Sequence, residues 1–107
     1  MNYERLNFLL EQLQEQGDDA FILYGIAMEY YGSDLSKAAE YLERIHRNFP
    51  EYLPGYYTLA TALDDLNQPE KSLEILDEGI VLAKISKADK TLKELEQYAN
   101  NLRMELD

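Results

Sequence analysis

The feature that most constrains this chain is an internal repeat. Phe21, Tyr24, Gly25 and Met28 return 35 residues later as Tyr56, Leu59, Ala60 and Leu63. Ala38, Leu42 and Pro50 return 34 residues later as Ser72, Leu76 and Lys84. The one-residue difference falls in a turn, where Gly32-Ser33-Asp34-Leu35 is longer than its counterpart. Self-similarity at such a period means one supersecondary unit used twice, each copy burying its apolar face against a neighbour.

The unit is a pair of helices. Apolar spacing is helical almost throughout, with no sustained two-residue alternation. Helices are predicted near 2–16, 19–31, 35–48, 54–66, 69–84 and 87–105. The punctuation agrees. Gly17-Asp18-Asp19 breaks the first pair and offers an N-cap, and Gly32-Ser33-Asp34 breaks the second. Asn48-Phe49-Pro50 ends the third, and Pro54 sits where a first helical turn tolerates proline. Asn67-Gln68-Pro69-Glu70 reads as a cap, a proline and a capping-box glutamate, and Ser86-Lys87-Ala88-Asp89 has similar spacing. Links this short force successive helices antiparallel. The expectation is an all-α fold of about six helices in a single domain, which 107 residues suit.

The repeated pattern resembles the tetratricopeptide repeat, whose signature is a bulky aromatic, two residues, Leu-Gly, two residues, Tyr, then Ala, three residues, an aromatic, and a late proline. The first copy offers Phe21-x2-Tyr24-Gly25-x2-Met28, then Ala38-x3-Leu42 and Pro50. The second offers Tyr56-x2-Leu59-Ala60-x2-Leu63, then Ser72-x3-Leu76, with alanine for the glycine and no late proline. The resemblance covers residues 18–84 and implies stacked helical hairpins in a short right-handed superhelix. It assigns 18–50 and 51–84 to the repeats, and 1–17 and 85–107 to terminal capping helices. Gly25 and Ala60 then occupy equivalent places where a partner helix approaches closely, opposite Ala38 and Ser72. Gly79 reads as another such contact.

The terminal segments lack the signature but carry apolar stripes: Leu6, Leu9, Leu10 and Leu13 on the first, and Leu92, Leu95, Ala99, Leu102 and Leu106 on the last. Atypical end elements cover the apolar faces of a repeat stack. Self-association through the last stripe is the rival reading, although the stripe is under three heptads long.

Nothing in the residues points to an enzyme or a cofactor. There is no phosphate-binding glycine loop, no nucleophile elbow and no metal-spaced cluster. His46 is alone and reads as a solvated residue near a helix end. The pairs Asp18-Asp19, Asp64-Asp65 and Asp77-Glu78 read as solvated faces of an acidic chain, and no loop has calcium-ligand spacing. The net charge is −11, from 21 acidic and 10 basic residues, which argues against nucleic acid; the acidity reads as keeping a small protein soluble, with steering of a basic partner as the alternative. The chain has no cysteine, no long apolar run and no secretory leader, so a soluble cytoplasmic protein is expected.

A partner would then be another protein or peptide. In the resembling family the binding surface is the concave face, lined by the first helix of each hairpin. Projected onto this sequence, that face holds Ile22, Ile26, Glu29 and Tyr30 from the first copy. The second copy adds Tyr57, Thr61, Asp64 and Asp65. Outward isoleucines beside tyrosines and carboxylates predict a groove for a segment with apolar anchors and basic flanks. The alternative is that a terminal helix covers Ile22 and Ile26. The Lys, Arg and Asn with which one subclass clamps a client's terminal carboxylate are missing from these positions. A basic strip, Lys84, Lys87, Lys90 and Lys93, lies outside the groove; it reads as solvated lysines near a helix junction, with contact to the acidic surface of another copy as the functional alternative.

Overall fold

The computed structural model describes all 107 residues, Met1–Asp107. It holds six helices and no strand: α1 Tyr3–Gln16, α2 Ala20–Tyr31, α3 Leu35–Asn48, α4 Pro54–Asp65, α5 Pro69–Ile85 and α6 Asp89–Leu106. No helix is long and apolar enough to cross a membrane. The chain divides into two compact units, Met1–Gly55 and Tyr56–Asp107.

In the first unit α2 packs on α3, and α1 packs on α2. Each helix starts with a side-chain cap. Asn2, Asp19 and Asp34 accept the backbone N–H of Arg5, Ile22 and Lys37, each at 3.0 Å. Asp18 is not merely solvated. Its carboxylate takes Arg44 Nε and Asn48 Nδ2, both at 2.9 Å, with a second contact to Arg44 Nη2. That fork ties the entry of α2 to the last turns of α3, and the Arg44 bond holds the Asp18 carboxyl below its usual range. The core comprises Leu6, Leu23, Ile26, Ala27, Ala38, Ala39, Leu42 and Ile45.

That core corrects the register of the first copy. Phe21 and Met28, expected to pack, are 77% and 45% exposed. The buried residues of α2 are Leu23, Ile26 and Ala27, with half-buried Tyr30 one turn on. This set has the same spacing as Tyr56, Leu59, Ala60 and Leu63, all buried, and precedes it by 33 residues rather than 35. Ala27, not Gly25, is therefore the counterpart of Ala60. The second helices keep the expected 34-residue offset, with Ala38 and Leu42 answering Ser72 and Leu76, all buried.

Gly25 faces a different helix. A Cβ there would stand 3.1 Å from Leu9 Cδ1, so the glycine admits α1 rather than α3. Leu6 is the buried residue of α1, while Leu9, Leu10 and Leu13 are half-buried.

In the second unit α4 lies against α5, and α5 against α6. The Ser72 hydroxyl, fully buried, donates to the Ala60 carbonyl at 2.6 Å, which puts the two small residues face to face. Gly79 behaves as expected: a Cβ there would meet Tyr56 Cβ at 2.9 Å and Leu95 Cδ1 at 3.3 Å. From α6, Leu95, Ala99 and Leu102 enter the core, whereas Leu92 is half-buried and Leu106 exposed.

The two turns of this unit differ from the expected caps. Gln68 and Ala88 precede α5 and α6 without a side-chain cap bond. The turns are closed from the preceding helix instead. Asn67 and Lys87 adopt left-handed backbone, φ 64° and 57°, so that Gln68 N–H reaches Leu63 O at 2.8 Å and Ala88 N–H reaches Ala83 O at 2.9 Å. The Ser86 hydroxyl turns back to Leu82 O at 2.7 Å, ending α5 rather than starting α6.

Candidate functional site

The second unit carries a cleft of about 410 Å³ lined by Tyr57 and Thr61 of α4 and by Glu94, Gln97, Tyr98 and Asn101 of α6. Helical spacing builds it. Tyr57, Thr61 and Asp64 stand at i, i+4 and i+7 on α4, and Glu94, Gln97, Tyr98 and Asn101 share one stripe of α6. A second depression of about 350 Å³, formed by Asn101, Met104 and Glu105, continues the α6 stripe.

Tyr98 fixes the floor. Its ring lies 5.4 Å from that of Tyr57, tilted by 56°. Its hydroxyl donates to Asp64 Oδ2 at 3.0 Å. Burial, reinforced by that carboxylate, pushes the Tyr98 phenol up to about 12. Tyr98 thus remains a neutral donor at physiological pH. Thr61 spends its hydroxyl hydrogen on the Tyr57 carbonyl at 2.9 Å. Around this floor the walls present the Glu94 carboxylate, the amides of Gln97 and Asn101, and the exposed face of Tyr57. Such a surface can accept hydrogen bonds from ammonium or guanidinium groups and receive an apolar or aromatic side chain.

The structure sorts the expected groove residues by unit. In the second, Tyr57 and Thr61 line the cleft, Asp64 holds Tyr98, and Asp65 is exposed. In the first, Ile26 is fully buried, contrary to the expectation that it points outward, and Ile22 and Glu29 are half-buried. Tyr30 stacks on Tyr41 of α3, with centroids 6.0 Å apart and Lys37 Nζ 5.8 Å from its own ring. It is a packing residue at the position that Leu63 occupies in the second copy. The two-residue register shift explains Ile26 and Tyr30 together. Glu94, Gln97, Tyr98 and Asn101 lie outside the expected groove, because the terminal segment 87–105 reads from sequence as a cap or a self-association stripe. The available signal was a tyrosine beside two amide side chains on one helical stripe.

Another depression, about 350 Å³, lies on α3 among Lys37, Glu40, Tyr41, Glu43, Arg44 and Arg47. Its charges are mixed, and Arg44 is already committed to Asp18.

No protein-family model matches the chain, and no curated protein matches it. Solved structures do. The chain is similar to a tetratricopeptide repeat domain protein from Salinibacter ruber in two structures. Against the solution structure the identity is 26%, over 79% of this chain and 87% of that one, with a TM-score of 0.75. Against the crystal structure it is 25%, over 80% and 97%, with the same TM-score. The chain's fold is tetratricopeptide-like. A protein from Bordetella parapertussis shares the fold at 17% identity and a TM-score of 0.78, over 94% of this chain and 88% of that one. Tetratricopeptide folds generally mediate protein–protein interaction and are typically non-enzymatic.

Proposed function

We propose that this protein is a small adaptor or scaffold that binds a segment of another protein, with no catalytic step. The segment carries an apolar or aromatic anchor and basic flanks. The observation that supports this reading most is the cleft in the second unit. It brings Tyr57 and Thr61 together with Tyr98, Gln97, Asn101 and Glu94, and no cation lines it. The anchor packs against Tyr57 and Tyr98. The amides of Gln97 and Asn101 bond the segment's backbone, and Glu94 receives a lysine or arginine. The chain's net charge of −11 favours encounter with a basic segment. A cytoplasmic setting fits the absence of cysteine.

The test is selection of a random displayed peptide library against the wild-type protein and against a Thr61→Arg, Asn101→Arg double variant. Both substituted positions lie at the cleft surface, so circular dichroism should report an unchanged helix content. The expected result is enrichment of peptides bearing Lys or Arg beside an aromatic or aliphatic residue, with binding lost in the variant. Enrichment of acidic peptides, or equal binding by both proteins, overturns the reading.

A further inference from the structure

We propose that this chain also associates with further copies of itself, the acidic outer face of α1 in one copy docking on the basic corner between α5 and α6 of another. The inference goes beyond the peptide-binding cleft and uses neither Tyr57 nor Tyr98.

The corner is unusual for so acidic a chain. Lys84, Lys87, Lys90 and Lys93 fall within ten consecutive positions that hold a single acid, Asp89, and all four are exposed. They adjoin an apolar knob. Val81 and Ile85 stand one turn apart on α5 and are 57% and 74% exposed. Lys87 occupies the left-handed position that ends α5, φ 57°, where glycine is the usual residue and a side chain costs about 1 kcal/mol. A lysine thus stands where the backbone alone favours another residue.

The complementary face is on α1. Leu6 points into the core of the first unit. On another side, Glu4, Phe8, Glu11 and Glu15 follow one another at i, i+4, i+7 and i+11, all exposed, with Phe8 at 59%. The corner thus joins an exposed apolar pair to an excess of positive charge, and the α1 face sets an exposed phenylalanine among three glutamates. Two copies of a −11 chain repel each other at long range, so association requires such a local match. The second copy is the occupant because the face that complements the lysines belongs to this same chain. The two surfaces differ, so the contact is heterologous.

Sedimentation velocity of the full chain over a concentration series, at low salt and at roughly 0.5 M salt where screening is near complete, tests this. The expected result is a mass that rises above the monomer with concentration at low salt and collapses toward the monomer at high salt. Lys84→Glu with Lys87→Glu should be monomeric alone, as should Glu11→Lys with Glu15→Lys. Mixing those two variants should restore association, which also shows that both are folded. Ile85→Ser should weaken association about tenfold. A wild-type chain that stays monomeric overturns the proposal. So does a mixture that stays monomeric while the wild type associates. If the monomeric wild type instead binds polyglutamate through the lysines, the corner serves an acidic partner, and the second copy is excluded.

Discussion

The hydroxyl of Tyr98 on α6 donates to Oδ2 of Asp64 on α4 at 3.0 Å, and this bond, with the adjacent Tyr57–Tyr98 ring contact, joins the two walls of the cleft. Asp64 comes from the repeated part of the chain and Tyr98 from the terminal helix. The site in the second unit therefore needs α6 as a wall as well as a cover for the core.

Removing that bond should be visible in stability and in its pH dependence. Tyr98→Phe keeps the ring and loses one charge-assisted bond, costing about 1–2 kcal/mol at neutral pH. The folded pKa of Tyr98, about 12, lies above its ordinary value of 10.0. Its contribution is therefore complete below pH 10.0 and is lost as pH rises through about 12. Urea unfolding across that window should show a shallower alkaline loss in Tyr98→Phe than in wild type. Tyr52, also raised by burial, retains its own share. An unchanged alkaline slope would contradict the assignment.

The two helical glycines should respond with opposite sign. At Gly79 an added methyl meets Tyr56 Cβ at 2.9 Å, an atom rooted at its backbone, so Gly79→Ala should destabilise by roughly 1–2 kcal/mol despite the better helix propensity. At Gly25 the neighbour is the far end of half-buried Leu9, which can rotate away. Gly25→Ala should therefore gain up to about 1 kcal/mol. Thermal melting of both variants decides it.

The Asp18–Arg44 fork should matter little at neutral pH, because both side chains are partly exposed, at 28% and 37%. Asp18→Asn is expected to cost under about 1 kcal/mol. The Arg44 bond lowers the folded pKa of Asp18 below 3.8, so its contribution is present above that value and lost as pH falls through the lower folded one. Acid unfolding of Asp18→Asn should accordingly lack part of the stability change below pH 3.8 that the wild type shows.

All six helices were legible because apolar spacing, proline and glycine mark them independently, and predicted and observed ends differ by two residues at most. The phase of α2 was not legible. Its sequence Ala20-Phe21-Ile22-Leu23-Tyr24-Gly25-Ile26-Ala27-Met28 is apolar on every side, so periodicity selects no buried face. Two alignments to the second copy then compete. The one through Phe21 and Gly25 matches the signature's residue types, whereas the one through Leu23, Ile26 and Ala27 is what packs. Only burial separates them. As a consequence, Ile26→Lys should unfold the first unit, at a cost of roughly 3 kcal/mol or more, rather than silence a binding surface. Half of the second unit's cleft was legible as Tyr57 and Thr61. The α6 half was not, because the resemblance ends at residue 84, and terminal helices carry no signature to locate a site.

Glu94 is the carboxylate that lines the cleft, and the proposed reading gives it the segment's lysine or arginine. Glu94→Gln should weaken a basic peptide from the library selection about two- to fivefold and reduce the salt dependence of its binding. Fluorescence anisotropy at two ionic strengths measures both effects.

The most direct measurement of the central claim is an amide nuclear magnetic resonance titration of the full chain with one such selected peptide, bearing an arginine beside an aromatic residue. The account predicts that the largest shifts fall on the amides of Tyr57, Thr61, Gln97, Tyr98 and Asn101. Shifts concentrated instead on α3 between Lys37 and Arg47, with the cleft amides unmoved, would contradict it.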